Sequence, residues 1–208
     1  MKNQIKNLIK LKRKKKHNKM IEQTLVLIKP DGVQQKLIGK IISRFEDAGL
    51  KIVGMKMIWP DKKIAEVHYP LDEEWAKNVF NKSKQSAEKN KEEFVFKNHL
   101  DFGKFVQSKL IDFIQGSPVA ALVLESPHAV DIVRKMVGAT EPRSANPGTI
   151  RSDFASVESY PNADMKNRAV RNLVHASDSF INAKREIKIW FKDEEVHNYK
   201  RPGDEHIF

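Results

Sequence analysis

The chain has no cysteine in its 208 residues. That absence excludes a disulfide scaffold, a thiolate zinc site, an iron–sulfur cluster and a cysteine nucleophile. It also fits a reducing, cytoplasmic setting. Long apolar runs are missing too. The longest, Val119 to Leu124, falls far short of the roughly 20 residues a membrane helix needs, so no membrane role is expected. The N-terminal stretch lacks the apolar centre and small-residue cleavage site of a secretory signal, and the Arg and Ser bias of a transit peptide. Acidic residues are absent from one region in particular: Met1 to Lys19 holds nine Lys or Arg and no Asp or Glu. The formal net charge of +11 is therefore concentrated in a tail, because from Met20 onward 29 basic residues face 27 acidic ones. A high pI here is a property of the tail and does not mark the whole surface as a nucleic-acid binder.

The remainder reads as one domain with secondary structure throughout. Thr24 to Lys29 is a short apolar run closed by Lys29-Pro30-Asp31-Gly32, which predicts a buried strand ending in a turn. Ile38, Ile41, Ile42, Phe45 and Ala48 keep helical spacing and Gly49 stops that helix. Leu50 to Trp59 alternates with apolar residues on both faces, as in a covered strand, and Val119 to Leu124 predicts a third. Ser126-Pro127 reads as an N-cap followed by proline at the first position of a helix carrying Ala129, Ile132, Val133, Met136 and Val137, ended by Gly138. Asn172 to His175 predicts a short fourth strand. Ser177-Asp178-Ser179 then caps a last helix with Phe180, Ala183, Ile187 and Trp190 or Phe191 toward the core. Four strands interleaved with helices in this order predict a ferredoxin-like α/β sandwich, a four-stranded antiparallel sheet covered by helices. Two stretches read as additions: a charged, Asn- and Ser-rich helical insertion at about 77–103, and a polar loop over Ala155 to Lys166.

Gly32 and Gly39-Lys40 do not make a P-loop: six residues separate the glycines and Ile41 follows the lysine, where that motif needs four and Ser or Thr. The stronger chemical signal is His175, at a strand end among small polar residues and just before a helix. A lone histidine is ordinarily a bonded core or surface residue. This one has Ser177 and a helix N-terminus beside it, which favour a bound anion. Neutral imidazole is also a good nucleophile near pH 7. Glu186, on the last helix, is placed to hydrogen-bond the ring, fix its tautomer and support positive charge on it.

Taken together, the motifs resemble those of nucleoside diphosphate kinases. They are Ile28-Lys29-Pro30-Asp31-Gly32-Val33, His68-Tyr69, Arg134 with Gly138-Ala139-Thr140, Pro147-Gly148-Thr149-Ile150-Arg151, and Asn172-Leu173-Val174-His175-Ala176-Ser177-Asp178-Ser179 with Glu186 beyond. They follow the family's order from about Met20 to Tyr199. The resemblance implies the sandwich fold and a ping-pong transfer of the γ-phosphate of ATP, or another nucleoside triphosphate, to nucleoside diphosphates. It implies that His175 is the phosphorylated residue, Glu186 the acid holding its other nitrogen, and Ser177 the hydroxyl beside it. Lys29, Tyr69, Arg134, Thr140 and Arg151 match groups around the phosphates; Asn172, with Lys29, matches the reader of the ribose hydroxyl. It further implies Mg²⁺ held mainly by the nucleotide, with no direct protein ligand, and a homo-oligomer, hexamer ahead of tetramer. Asp178 reads as a cap, His68 as a neighbour of the site, and Trp190 and Phe191 as core.

The sequence departs from the family pattern in three places. Ala176 and Ser152 stand where glycine is commoner, and the insertion after Tyr69 resembles an archaeal-type variant. That insertion replaces the segment carrying the base-stacking aromatic, leaving Trp75 and Phe80 as candidates. The second class of reading is an inactive or dual-role protein whose tail binds nucleic acid with steep salt dependence. Met20 stands where chains of this type start. Residues 1–19 are thus an extension, a short amphipathic turn through Ile5, Leu8 and Ile9, or an untranslated upstream stretch, the last being favoured.

Overall fold

A computed structural model describes residues 21–91 and 93–207. The basic tail, and every expectation placed on it, lies outside the described residues.

Four strands form one antiparallel sheet in the order β2-β3-β1-β4: β1 (Ile21–Ile28), β2 (Lys51–Ile58), β3 (Val119–Pro127) and β4 (Val174–Ala176). This is the sandwich the alternation of strands and helices predicted. β1 is central, and Leu25, Val26, Leu27 and Ile28 are all fully buried. Such a strand needs apolar side chains on both faces, which is why it reads as an unbroken run. On one face Val26, Ile28, Leu122 and Leu124 pack with Ile41 and Phe45 of α2 (Ile38–Asp47) and with Val133 of α6 (Ala129–Val137). On the other, Leu25, Leu27 and Val123 pack with Ala65 of α3 (Lys62–His68), Ile114 of α5 (His99–Gln115) and Trp190 of α9 (Phe180–Trp190). Each large side chain buried this way contributes roughly 1.5–3 kcal/mol.

Several boundaries differ from the sequence expectation. The turn after β1 is a short helix, α1 (Pro30–Gln34), with proline at its start, where a missing N–H costs nothing. Ser126 and Pro127 are not a helix cap. They extend β3 opposite Glu22 and Ile21, and the cap of α6 is His128, held at φ +56°. Strand pairing there outweighs the local Ser-Pro signal. Phe180 is 44% exposed, so α9 turns its first residue outward. That helix is followed by α10 (Asp204–Ile207).

The two stretches that composition marks as additions carry helices among their described residues. The first consists of α4 (Glu73–Asn90), a connection, and the beginning of α5. The second holds α8 (Tyr160–Met165), capped by Ser159 after α7 (Ile150–Ala155).

Candidate active site

His175 sits mid-strand on β4, opposite Leu27 of β1. Its Nε2 lies 2.8 Å from Glu186 Oε2, and the Ser177 hydroxyl donates to the same oxygen at 2.5 Å. Burial alone would raise the Glu186 carboxyl. The hydrogen bond and charge of His175, the Ser177 hydroxyl and nearby Arg185 outweigh it and hold the group below its ordinary value. An ionised carboxylate only accepts, so the proton between the pair belongs to His175 Nε2. The ring's free lone pair is then on Nδ1. The histidine side chain keeps 20% of its surface accessible while that of Glu186 keeps 7%.

Two aromatic residues brace this pair. The Trp190 indole N–H donates to His68 Nδ1 at 3.2 Å, and the His68 ring stands edge-on to His175 with centroids 4.5 Å apart at 81°. Burial first, then the neighbouring His175, Lys29 and Arg185, lowers His68 well below its usual range, so it stays neutral. Trp190, expected as core, is core and also fixes this tautomer.

The chain reaches His175 through a constrained turn. Leu173 is held at φ +64°, a conformation unusual outside glycine. It is pinned from both sides: Asp31 Oδ2 accepts its N–H at 2.9 Å, and its carbonyl accepts the N–H of Lys29 at 2.8 Å. A Cβ on Gly32 would come within 3.1 Å of the Leu173 carbonyl oxygen. The Lys29-Pro30-Asp31-Gly32 motif is therefore a clip on the strand carrying His175 as well as a source of one cation. Asp31 and Leu173 were not legible as site builders, because the clip joins segments over 140 residues apart.

The cations come from three elements. Lys29 Nζ, at the end of β1, donates to Asn172 Oδ1 at 2.8 Å, and Asn172 Nδ2 donates to the Thr140 carbonyl at 2.8 Å. Burial brings Lys29 down to about 8, with Arg151 adding to the shift and Asp31 opposing it. Arg151, on α7, donates from Nε to Asn172 O, from one terminal nitrogen to Gly138 O and from the other to Val174 O. Guanidinium carries five N–H donors, so this strut still has two to offer a ligand. Burial pulls Arg151 to about 10, where it remains charged at pH 7. Gly138 permits the close approach. Its φ is +87°, and a Cβ there would lie 2.5 Å from Thr149 Oγ1.

Lys29, Tyr69, Arg134, Thr140, Arg151, Asn172 and His175 all border one cavity of about 780 Å³, with Glu186 and Ser177 behind the histidine. The Tyr69 hydroxyl is buried and has no hydrogen-bond partner among the described residues. Burial, with Glu186 and Asp31 adding to it, raises its pKa, so it remains an O–H donor. Of the two stacking candidates, Trp75 borders the cavity. Phe80 is not among its lining residues and packs instead against Phe94 and Phe102, centroids 5.2 and 6.1 Å away. Phe105, Phe96 and Tyr160 border the cavity and were missed. The available signal was the density of phenylalanines in a stretch that otherwise reads as solvated.

Among the described residues His68, His175 and Glu186 are close enough to share a metal ion. The set is nitrogen-rich, and the Glu186 oxygen nearest His175 already takes two hydrogen bonds. It does not suit Mg²⁺, which prefers oxygen ligands. A cavity end lined by Lys29, Arg134 and Arg151 fits instead an ion carried by an anionic ligand's own oxygens.

The sequence model of the family described as "Nucleoside diphosphate kinase" matches residues 22–91 and 79–196. The nucleoside diphosphate kinase of Pyrococcus horikoshii is 46% identical over 88% of this chain and 93% of its own length. A solved NDP kinase from Pyrobaculum aerophilum superposes with a TM-score of 0.82 at 40% identity, covering 86% of this chain and 100% of that one. A nucleoside diphosphate kinase from Borrelia burgdorferi, solved as a transition-state mimic with bound vanadate and ADP, superposes with a TM-score of 0.73 at 38% identity, covering 90% and 97%.

Proposed function

The chain belongs to the nucleoside diphosphate kinase family, and from that premise we propose how its own residues carry the phosphoryl group between nucleotides. The enzyme moves the terminal phosphoryl of a nucleoside triphosphate to a nucleoside diphosphate. In the first half-reaction His175 Nδ1 attacks the γ-phosphorus, the bond to the β-phosphate oxygen breaks, and that oxygen leaves with its electron pair on the departing diphosphate. The imidazole gains positive charge, which the Glu186 carboxylate balances at 2.8 Å. In the second, the β-phosphate oxygen of another diphosphate attacks the phosphohistidine and Nδ1 recovers its electron pair. One site serves donor and acceptor in turn, so specificity for the base is broad.

The observation that carries this reading is the Glu186–His175 bond, which commits Nε2 and leaves Nδ1 for chemistry on a residue that borders the cavity. Charge spreads over the equatorial oxygens of a transferring phosphoryl group. Arg134, the outer donors of Arg151, and Lys29 answer it, while Tyr69 and Thr140 offer hydroxyls. The Lys29–Asn172 pair supports their role as readers of the ribose hydroxyl. Mg²⁺, borne by the nucleotide, neutralises phosphate charge with no protein ligand assigned.

Met55 and Met57 on β2, which lies at the edge of the sheet, and Trp59 just beyond are 61%, 60% and 64% exposed. This patch supports a homo-oligomer; the ranking of hexamer ahead of tetramer comes from the family resemblance alone. No helix among the described residues is long and apolar enough to cross a membrane.

Incubation with γ-labelled ATP tests the reading. The expected product is an enzyme with an acid-labile, base-stable label that chases onto added diphosphate. A His175→Gln enzyme that still labels and turns over contradicts it.

A further inference from the structure

Three side chains able to ligate a metal meet at the reacting histidine. Ligand atoms of His68, His175 and Glu186 all lie within 4.8 Å of one another. Two imidazoles and a carboxylate are a donor set of catalytic zinc sites, and imidazole also suits copper and nickel. His68 is 2% exposed, and its Nε2 is buried with no hydrogen-bond partner among the described residues. A transition metal seated on these groups would occupy His175 and the carboxylate that supports it. Phosphoryl transfer needs the trio empty.

The contacts of His68 decide whether the trio can close on a metal. A histidine ligates through a nitrogen that bears a lone pair. Its other nitrogen then carries the proton and donates to a carboxylate, a carbonyl or water. His68 has the opposite surroundings. The Trp190 indole N–H, which can only donate, meets Nδ1 at 3.2 Å. Nδ1 is therefore the acceptor, and Nε2 holds the proton. One nitrogen is spent on Trp190 and the other is blocked by hydrogen. Ligation through Nε2 would move the proton to Nδ1 and set two N–H groups against each other. Ligation through Nδ1 would displace the indole N–H of Trp190, itself only 2% exposed. Either route leaves a buried donor without an acceptor, which is costly.

We propose that Trp190 keeps transition metals off His175, by holding His68 in the tautomer that has no lone pair to give. This role rests on the phosphohistidine reading for its consequence, since a bound metal inhibits only if His175 is the reacting group. Arg185, 3.5 Å from Glu186 Oε1, adds a positive charge that opposes a dication. It does so whichever residue stands at position 190, so a change at Trp190 isolates the hydrogen bond.

The test compares the full wild-type chain with Trp190→Phe, which keeps an aromatic ring and removes the donor, and with a double variant that adds His68→Phe. The probe is Zn²⁺ at buffered free concentrations. Loading of His175 from phosphoramidate is the activity readout, because this donor has no nucleotide phosphates on which zinc could replace magnesium. Each protein's zinc-free rate is its own reference. Trp190→Phe is expected to be half-inhibited at about 10–100-fold lower free Zn²⁺ than wild type, the scale on which outer contacts change metal affinity. The double variant is expected to return to wild-type sensitivity. Titration against a chromogenic chelator is expected to show a zinc site gained by Trp190→Phe and lost again in the double variant. Equal zinc sensitivity of wild type and Trp190→Phe overturns the role. So does a double variant as sensitive as the single one, because the zinc then sits elsewhere. Nitrogen NMR of the wild-type protein needs no variant: His68 is expected to carry its proton on Nε2, and a proton on Nδ1 overturns the role. A wild-type His175 that neither phosphoramidate nor ATP labels would defeat the phosphohistidine reading instead, while the chelator titration still decides whether Trp190 controls the site.

Discussion

The inner and outer halves of the cavity are built by different means. At the inner end, functional side chains are tied to main chain. Arg151 is anchored to three backbone carbonyls, Asn172 to a fourth, and the turn before His175 is clipped by Asp31 and by the Lys29 backbone. Elsewhere the cavity is walled by phenylalanine rings leaning on each other, Phe94, Phe102, Phe96 and Phe105, with Phe80 packed against Phe94 outside the lining. Hydrogen bonds to backbone fix a position to a fraction of an ångström, as charge stabilisation in a transition state requires. Ring contacts fix a surface and tolerate different occupants. The two parts of the cavity are thus built from different materials.

The largest break in that comparison comes from Glu186→Gln. The amide still bonds the ring but cannot balance its charge, so turnover is expected to fall about 10²-fold, with nucleotide affinity nearly unchanged. The same carboxylate links activity to acid stability. Its folded pKa lies below the ordinary 4.5. The unfolded chain therefore takes up its proton first as pH falls. The stability this group contributes is complete above that value and is lost below it, which a pH series of unfolding midpoints would detect.

Asp31→Ala comes next. It strands the buried N–H of Leu173 and releases a strained turn, an expected cost of about 1–3 kcal/mol with a matching loss of activity. Phe80→Leu is its outer counterpart. Hydrogen exchange is expected to quicken in residues 78–98 while β1 amides are unmoved, since the ring cluster is a local unit. If β1 also loosens, the two halves are not separable.

The smallest effect is a pH response. Lys29 has a folded pKa near 8 against an ordinary 10.5. The native state therefore releases this proton first, so the group's burial penalty is largest below pH 8 and relaxes between the two values. Nucleotide affinity of the resting enzyme should move the opposite way, weakening as pH climbs through about 8, by up to tenfold per unit.

Much of this was readable beforehand, and the failures have a pattern. The central strand announced itself because Leu25 to Ile28 are buried on both faces. Of the nine proposed site residues, His175, Ser177 and Glu186 stood out by their own side chains and setting, while Lys29, Tyr69, Arg134, Thr140, Arg151 and Asn172 stood out only through the family resemblance. What stayed hidden depends on contacts between distant segments. Asp31 acts through Leu173, and Trp190 acts through His68. Ser126-Pro127 misled because a local capping signal lost to pairing with β1. The 77–103 stretch reads as solvated because its phenylalanines are spaced for contact with each other across α4, α5 and their connection, which no helical period displays.

The central claim is that Glu186 commits one nitrogen of His175 and leaves the other for phosphoryl transfer. Phosphorus and nitrogen NMR of the enzyme loaded from ATP and trapped at alkaline pH tests it directly. The account predicts a single phosphohistidine, at His175, with phosphorus on Nδ1 and the proton on Nε2. Phosphorus on Nε2, or on any other residue, would contradict it.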